Sequence, residues 1–531
     1  MTTRWNRVAL FALCAIGPLA TWPAPLWAQE GAAAPTDVAK PPAVTPVPDA
    51  VACASFRLEF PPALFPDGFS GRVYIALSMR PREPRLDMGD WFGGPQVISF
   101  DVNTAKPGEL LDIPTSALTF RAASYADIPA KPYYAQAIAR VNKDSPSPGK
   151  GEGDVVSEVT KIDFDPKGAG GVATLTFSRA VKADEIKQTE SIHVVEIKSE
   201  LLSTFHGRDV MIRAGVHTPK DWKPIPIEQS DRNDPLPALY FITGFGGGAE
   251  FIRTLPNILG RGNSEGVLLV VPDPLCFEGH SVFADSANNG PWGEALIKEL
   301  IPAVESKFHA GGSGNNRYVT GISSGGWGSL WLQVAYPDSF AACWSHCPDP
   351  VDFRDFQKID IYSKDANMYK DVQGERRPIA RNPSGKALLF YDDFVRQETV
   401  MGPGGQIGSF EAVFSPRGAD GKPEPLFDRA TGAINPTVAK AWEKYDIRLK
   451  LEREWPTIGP KLKGKVHVYA GEKDMFLLDG AAILLKESLA KLGSDAEVTI
   501  VPGMNHTMHR AGIQAMMERV RGVKAGEAEK K

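Results

Sequence analysis

The chain has 531 residues, of which 43% are hydrophobic and 23% are charged, as in ordinary globular proteins. Its formal net charge is −5, so there is no basic excess that would attract nucleic acid phosphates. At roughly 100–200 residues per domain, this length predicts at least two domains. The 51 glycines and 44 prolines favour turns and loops over long helical bundles.

The first 28 residues are typical of a cleavable export signal. Arg4 and Arg7 precede an apolar run from Val8 to Ile16, and the segment ends at the small residue Ala28. An uncleaved membrane anchor is the alternative, because no charged residue lies between Val8 and Gln29, but the prolines of this segment oppose a spanning helix. We therefore predict a signal peptide over residues 1–28 and a secreted or periplasmic protein.

Residues 29–50 are rich in alanine and proline, which predicts a disordered or extended linker. Residues 51–190 carry short segments of alternating apolar and polar residues, for example Gly71–Leu77 and Val172–Phe177. The stretch Asp144–Asp154, with its prolines and glycines, is expected to be a loop. We predict a small β-sandwich-like N-terminal domain, which could bind a glycan, contact a partner or only shield the rest of the chain.

Residues 191–520 alternate between strand and helix patterns, which predicts a mostly parallel sheet with helices on both faces. Pro302 is expected to kink a helix with one apolar stripe, made by Leu296, Leu300, Val304 and Phe308. Residues 348–464 exceed what one connecting helix needs, so we predict a cap insertion there, followed at the end of the chain by a charged tail over 521–531. Aromatic residues of the cap, such as Trp442 and Trp455, either bind an acyl or aromatic substrate or pack the cap's own core.

Four cysteines remain after the export signal, at Cys53, Cys276, Cys343 and Cys347. In an exported protein an even number permits disulfides, but free buried thiols are an equal alternative. The sequence has no CxxC pair and no His/Cys cluster at metal-ligand spacing, so we predict no metal site.

A strand, a tight turn and a helix follow one another between Arg317 and Tyr336. The turn is Gly321-Ile322-Ser323-Ser324-Gly325, which is the G-x-S-x-G pattern of a nucleophile elbow. Alone, this pattern is also that of an ordinary tight turn. In the strand–turn–helix context it predicts that Ser323 is a nucleophile at the carboxyl edge of the sheet.

An oxyanion hole requires backbone N–H groups directed at the developing negative charge. One donor is expected from Ser324, directly after the nucleophile, and the other from the glycine-rich loop Gly244–Gly248, where we assign it to Phe245. The alternative for this loop is a flexible turn without a catalytic role.

The acid of such a site follows the serine along the chain, and the histidine comes last. Asp474 stands just past a strand over 465–470 and is the predicted acid. Glu472 and Asp479 are the rivals, although Asp479 fits better as the start of the next helix, where acidic residues are favoured.

His506 follows the last predicted strand, over 497–501, and is the predicted general base. His509 is the alternative base, and its spacing from His506 also suggests metal binding, but no acidic partner supports a metal site. His467 lies within a strand and is expected to be a core residue.

Together these residues resemble a known family. They are Gly244-Phe245-Gly246-Gly247, Ala284-Asp285-Ser286 with Asn289-Gly290-Pro291-Trp292, Gly321–Gly326, and then Asp474 and His506 in order. The set is similar to the esterase D, or Putative esterase, branch of the α/β-hydrolases, which includes feruloyl and acetylxylan esterases, S-formylglutathione hydrolases, siderophore esterases and mycolyltransferases. The resemblance spans roughly residues 195–515 and implies the α/β-hydrolase fold, a Ser-His-Asp triad and a supporting position beside the site for Ala284–Trp292. Thr243 stands where family members often have His.

The sequence therefore predicts a serine esterase that hydrolyses carboxylic esters through an acyl-enzyme intermediate. Its expected partner is a small-molecule or glycan-linked ester, with no cofactor, no nucleic acid and no stable membrane span after signal cleavage. An acyltransferase or a peptidase using the same triad is one alternative, and a non-catalytic binding protein with a hydrolase fold is another. The ester substrate and the oligomeric state are not determined by the sequence.

Overall fold

The structure is a computed structural model that describes residues 50–114, 116–183, 185–220, 222–223, 235–260, 262 and 264–522. The predicted signal peptide, the linker before residue 50 and the tail after residue 522 lie outside the described residues. The described chain divides into two compact units. One contains the residues up to Val141 and Pro148–Val181, and the other contains Asn142–Ser147 and the residues from Lys182 onward.

Nine strands make up the first unit. They are β1 (Val51–Glu59), β2 (Phe69–Ser78), β3 (Gln96–Ala105), β4 (Leu110–Asp112), β5 (Leu118–Phe120), β6 (Lys131–Ala139), β7 (Val155–Ser157), β8 (Thr160–Phe164) and β9 (Gly171–Ala180). Hydrogen bonds join all nine strands into one sheet, in which β8 pairs with both β1 and β6, so that β1, β9, β7, β6 and β8 form a closed ring. The predicted strands and the 144–154 loop are confirmed, whereas the two-sheet sandwich stays a prediction.

The second unit contains the predicted strand before the elbow and the strands predicted over 465–470 and 497–501, with bounds that differ by at most two residues. Its strands are β10 (Ile192–Lys198), β11 (Met211–His217), β12 (Ala238–Ile242), β13 (Leu268–Pro272), β14 (Leu275–Cys276), β15 (Gly279–His280), β16 (Asp285–Ser286), β17 (Gly290–Pro291), β18 (Arg317–Ile322), β19 (Ala342–His346), β20 (Pro378–Arg381), β21 (Ala387–Phe390), β22 (Val466–Gly471) and β23 (Glu497–Val501). The main sheet has eight strands in the order β10-β11-β13-β12-β18-β19-β22-β23.

From β13 to β23 all neighbours in the main sheet are parallel, whereas β11 is antiparallel to both of its neighbours, β10 and β13. Parallel strands have their carboxyl ends at the same edge of a sheet. The segments that follow β12, β18, β19, β22 and β23 therefore leave the sheet at one edge. This is the edge at which open α/β sheets bind ligands.

The helices are α1 (Glu200–His206), α2 (Leu255–Leu259), α3 (Trp292–Ala295), α4 (Ile301–Phe308), α5 (Ser324–Ala335), α6 (Tyr391–Met401), α7 (Gln406–Phe414), α8 (Pro436–Trp442), α9 (Ile447–Leu462), α10 (Asp479–Lys491) and α11 (Arg510–Val520). The side chains of Leu239 and Phe241 join one buried cluster with residues of α2 and α11. Tyr240 lies between them on β12 and points to the opposite face, where its hydroxyl is 3.3 Å from Glu305 of α4. Both faces of the sheet are therefore covered by helices.

The apolar stripe predicted over residues 296–308 is fully buried. Its first part, Leu296–Leu300, is a π-helical turn that continues directly into α4, and Pro302, which has no N–H to donate, lies at this junction. Among the described residues, no helix is both long and apolar enough to span a membrane.

Candidate active site

Ser323 lies at the sharp turn between β18 and α5. Its backbone has φ 60° and ψ −125°, a conformation that is costly for a residue with a side chain and is found at functional turns. A Cβ on Gly325 would lie 2.0 Å from the Ile242 carbonyl oxygen, and a Cβ on Gly321 would lie 2.2 Å from the Gly325 carbonyl oxygen. The two flanking glycines are therefore required by the close approach of backbones, as the elbow predicts.

The glycine-rich loop after β12 forms a tight turn. The Gly247 N–H donates to the Gly244 carbonyl at 3.0 Å, and Gly246 has φ 80°, which places Phe245 at the second position of a type II turn. The Thr243 hydroxyl donates to the Gly247 carbonyl at 2.6 Å. The loop is thus held by its own hydrogen bonds at the edge of the sheet where Ser323 lies.

His280 supports the same loop through a hydrogen bond to Thr243, the residue directly before it. Its Nδ1 accepts the Val282 N–H at 3.0 Å, so its Nε2 carries the proton and donates to the Thr243 carbonyl at 2.9 Å. Burial lowers the pKa of His280 to about 4, and the imidazole is neutral at ordinary pH. A neutral histidine thus fixes the chain directly before the predicted oxyanion donor.

Asp474 and His506 follow β22 and β23 and form a buried pair. His506 Nδ1 lies 2.8 Å from Asp474 Oδ2, and both side chains have an exposed fraction of 0%. The other carboxylate oxygen accepts the Phe476 N–H at 2.8 Å, and the Phe476 ring meets the imidazole edge-to-face at 4.9 Å between centroids. The carboxylate and the aromatic ring therefore fix the tautomer and the orientation of the imidazole.

The rival acids have other partners. Glu472 accepts the Gly503 N–H at 2.8 Å on the surface. Asp479 is the first residue of α10, as the sequence predicted, and forms an ion pair with Lys358 at 3.0 Å. The structure places Asp474, and neither of these acids, against a histidine.

The other two histidines are also engaged elsewhere. His509 caps the N-terminus of α11, where its Nδ1 accepts the Gly512 N–H at 3.2 Å. His467 lies 2.8 Å from Glu497, and its ring stacks on Trp344 at 4.9 Å between centroids. His467 is thus a satisfied residue of the strand, in agreement with the sequence-based expectation.

Asp349 is a site residue that the sequence reasoning missed. It follows β19 at the same edge of the sheet and is 4% exposed. Its two oxygens accept hydrogen bonds from the hydroxyls of Ser323 at 3.4 Å and Ser324 at 2.5 Å, and its N–H donates to the Ser323 carbonyl at 3.1 Å. Burial raises the pKa of Asp349 to about 6. Its position directly after a strand was an available signal, but the residue stood among those assigned to the cap.

The predicted insertion reaches this site through α7. Gln406 is the first residue of α7, and its side-chain amide nitrogen lies 3.5 Å from a carboxylate oxygen of Asp349. The Ser409 hydroxyl accepts the His280 N–H and donates to the His280 carbonyl, both at 3.0 Å. Of the two aromatic residues considered for substrate binding, Trp442 is 1% exposed and donates its indole N–H to Ser415 at 2.8 Å. Trp442 therefore packs the core of this region.

The four cysteines in the described part of the chain are free thiols. Cys347 is buried beside the predicted triad, and its Sγ lies 3.3 Å from the Thr507 carbonyl oxygen. One potential ligand atom from each of Cys347, Asp474 and His506 lies within 4.8 Å of the other two. Sulfur, nitrogen and carboxylate oxygen form a donor set that suits Zn²⁺, but a metal ion bound there would replace the Asp474–His506 hydrogen bond.

Comparisons with known proteins identify the family and several similar structures. Residues 208–498 match the family described as Putative esterase. Among solved structures, a ferulic acid esterase is 13% identical with a TM-score of 0.35, and the match covers 63% of this chain and 98% of that one. The fluorophosphonate-binding serine hydrolase F of Staphylococcus aureus is 13% identical, with a TM-score of 0.36 and the same coverages of 63% and 98%. The S-formylglutathione hydrolase of Agrobacterium tumefaciens is 15% identical with a TM-score of 0.35, and the match covers 63% of this chain and 95% of that one. No curated protein matches the chain.

Proposed function

Because the chain belongs to the Putative esterase family and is a carboxylic ester hydrolase, we propose that it cleaves esters through Ser323, His506 and Asp474 with an acyl-enzyme intermediate. The observation that carries this proposal is the buried contact of 2.8 Å between His506 Nδ1 and Asp474 Oδ2, formed by segments that leave the sheet at the edge of the Ser323 elbow. A serine hydroxyl is a weak nucleophile unless an oriented base removes its proton, and this pair supplies such a base.

In the proposed mechanism, the Ser323 hydroxyl attacks the ester carbonyl while His506 Nε2 takes its proton. The imidazolium that results is stabilised by the Asp474 carboxylate, which holds the Nδ1–H. Collapse of the tetrahedral intermediate releases the alcohol, which leaves with the proton from His506. Water then attacks the acyl-enzyme by the same steps and releases the carboxylic acid.

We propose that the backbone N–H groups of Ser324 and Phe245 donate hydrogen bonds to the oxyanion of both tetrahedral intermediates. Ser324 is the first residue of α5, and the first N–H groups of a helix have no partner within the helix. The helix N-terminus also has a partial positive charge, which favours an anion there. The type II turn at Phe245 and the neutral His280 below it support a fixed position for the second donor.

A fluorophosphonate probe and a p-nitrophenyl acetate assay test this function directly. We expect the probe to label Ser323, as located by peptide mass spectrometry, and Ser323→Ala to abolish both labelling and hydrolysis. Ser329→Ala is the matched control, because Ser329 lies on the helix that follows Ser323 and its hydroxyl donates to the Gly326 carbonyl at 2.9 Å. A folded wild-type protein that neither reacts with the probe nor cleaves the ester would overturn the proposal. Product partition with an added alcohol distinguishes hydrolysis from acyl transfer.

Export is a separate part of the proposal and rests on the sequence of residues 1–28. We propose that the chain is cleaved after Ala28 and that the mature protein is secreted or periplasmic, with a β-sandwich-like domain preceding the hydrolase. The test is N-terminal sequencing of the mature protein, together with fractionation of the producing cells. Retention of residues 1–28 in a membrane fraction would support the anchor instead.

A further inference from the structure

The Asp349 carboxylate is buried without a basic side chain beside it. Its side-chain hydrogen bonds come from uncharged groups, namely the hydroxyls of Ser323 and Ser324 and the amide of Gln406. Among the described residues, no lysine or arginine forms an ion pair with it, and the positive charge of protonated His506 lowers its pKa. Buried carboxylates are normally paired with a cation, because an isolated buried charge is costly.

Other buried acids of the same unit follow that rule. Glu305 is 7% exposed and forms an ion pair with Arg317 at 2.6 Å, and Glu411 is 4% exposed and forms an ion pair with Arg429. Asp349 therefore differs from these acids in the absence of a resident Lys or Arg partner. An uncompensated carboxylate at a ligand-binding edge leaves a place for a cation that the substrate supplies.

The position of Asp349 determines which part of the substrate its charge acts on. Its Oδ1 lies 3.4 Å from the Ser323 hydroxyl oxygen, the atom that becomes bonded to the acyl carbon. The acyl group consequently stays close to the carboxylate during both half-reactions, whereas the alcohol leaves after the first. In a site shielded from solvent, a charge acts on its neighbours with little screening.

We propose that Asp349 is a specificity-determining residue that makes the enzyme prefer esters whose acyl group carries a cationic, ammonium-type substituent over neutral and anionic ones. This inference rests on the proposed function, since it concerns the acyl group bound to Ser323. The reaction itself is unchanged: water cleaves the ester into a carboxylic acid and an alcohol. The proposal concerns only the charge of the acyl group that the enzyme prefers.

Three p-nitrophenyl esters test the proposal because they isolate charge from shape. The cationic ester carries 4-(trimethylammonio)butyrate, its neutral isostere carries 5,5-dimethylhexanoate, and the anionic ester carries glutarate. At pH 8 we expect the kcat/KM of the cationic ester to exceed that of the isostere by about tenfold or more, and the anionic ester to be slowest, since charge complementarity acts as a difference between substrates. Comparison of the three esters at this pH uses only the wild-type protein and therefore does not depend on whether a variant folds.

The matched variants are Asp349→Asn and Glu398→Gln. Glu398 is a half-buried carboxylate of the same unit that accepts the N–H groups of Ile407 and Gly408 and forms no hydrogen bond with Ser323. We expect Asp349→Asn to bring the ratio of cationic to neutral kcat/KM close to one, and Glu398→Gln to retain the wild-type ratio. A merely structural role of Asp349 would lower all three rates together and leave the ratio unchanged.

An equal kcat/KM for the cationic ester and its isostere, or a ratio that Asp349→Asn does not alter, would overturn the inference. Such a result leaves the proposed function standing if the neutral ester is cleaved and Ser323→Ala abolishes its cleavage. Loss of turnover for all three esters in a folded wild-type protein would instead contradict the proposed function.

Discussion

His506 Nδ1 and Asp474 Oδ2 lie 2.8 Å apart in a fully buried contact, although 32 residues separate them along the chain. The contact forms because β22 and β23 are parallel neighbours, so the segments that follow them leave the sheet side by side. Each side chain also has a second contact to the turn at Phe476, through the Phe476 N–H for Asp474 and through the Phe476 ring for His506. The pair is thus positioned by the sheet and oriented by one turn.

Replacement of the acid should decrease turnover and affect substrate binding little. For Asp474→Asn we expect kcat to fall by roughly 10³–10⁴-fold, because the imidazole is then held in the wrong tautomer. Steady-state kinetics with p-nitrophenyl acetate measure this loss. Glu472→Gln is the control, since Glu472 is a nearby carboxylate that is exposed and accepts only the Gly503 N–H. Wild-type turnover in Asp474→Asn would exclude Asp474 as the orienting acid.

The proposed oxyanion donor on Phe245 can be removed without removing the turn. Proline is well suited to the second position of a type II turn but has no N–H, so Phe245→Pro should retain the loop and lose the donor. We expect a decrease in kcat of about 10²–10³-fold, which is typical for the loss of one such donor. Phe245→Ala keeps the N–H and serves as the control for the lost ring. Equal kcat for the two variants would contradict the assignment of the donor to the Phe245 backbone.

The elbow should not tolerate a methyl group at Gly325. A Cβ there would lie 2.0 Å from the Ile242 carbonyl oxygen and 2.4 Å from that of Thr243, and the backbone at the end of β12 would have to move. We expect Gly325→Ala to lower the free energy of unfolding by about 3 kcal/mol. Gly408→Ala is the control, because its Cβ would have only one neighbour, at 3.9 Å, and alanine is favoured inside α7. Urea unfolding curves compare the two variants with wild type.

Buried His346 predicts how stability changes with pH. Burial lowers its pKa from 6.5 to about 3, so the native state keeps it neutral while the unfolded chain binds a proton below pH 6.5. The stabilisation is therefore complete above pH 6.5 and is lost as the pH falls towards 3, at about 1.4 kcal/mol per pH unit. The His346→Asn variant has no group that takes up this proton in the unfolded chain, but the asparagine side-chain oxygen can still accept the His509 N–H. The difference in unfolding free energy between wild type and this variant should narrow between pH 6 and pH 4, and a constant difference would contradict the assignment.

Cys347 predicts a specific sensitivity to Zn²⁺. An ion held by Cys347, Asp474 and His506 would take both the acid and the base out of the reaction, so we expect Zn²⁺ to inhibit ester hydrolysis and EDTA to reverse the inhibition. Inhibition should increase with pH, because burial raises the pKa of the Cys347 thiol and metal binding must displace its proton. Cys347→Ala should bind Zn²⁺ more weakly by calorimetry, whereas Cys343→Ala, a substitution of another buried thiol, should not. Equal Zn²⁺ affinity in all three proteins would contradict this site.

Local patterns in the sequence were sufficient for the elements around the site. Strand patterns predicted β18, β22 and β23, in which apolar residues predominate because helices cover both faces of a mostly parallel sheet. Glycine on both sides of Ser323 predicted the elbow, since only glycine permits that approach of backbones. The chain order of Ser323, Asp474 and His506 then selected the residues that a hydrolase sheet brings to one edge.

Local patterns failed where a role depends on a neighbour that is distant along the chain. Asp349 stands 26 residues from Ser323, and its role depends on the pairing of β18 with β19 and on α7, whose Gln406 lies 57 residues further along. Cys347 meets the Thr507 carbonyl across 160 residues. Neither residue belongs to a motif, and only the packing of separate segments places them at Ser323 and His506.

The sequence by itself thus determined the mostly parallel sheet, the elbow and the candidate triad, because each depends on residues within one strand–turn–helix unit or on the order of such units. The tertiary structure decided which groups surround that triad: the neutral His280 below the oxyanion loop, the thiol of Cys347 and the carboxylate of Asp349. The physical reason is that burial and hydrogen bonding between distant segments set the charge and the position of a side chain. The charge and the position of a buried side chain therefore cannot be predicted from periodicity or from the spacing of residues along the chain.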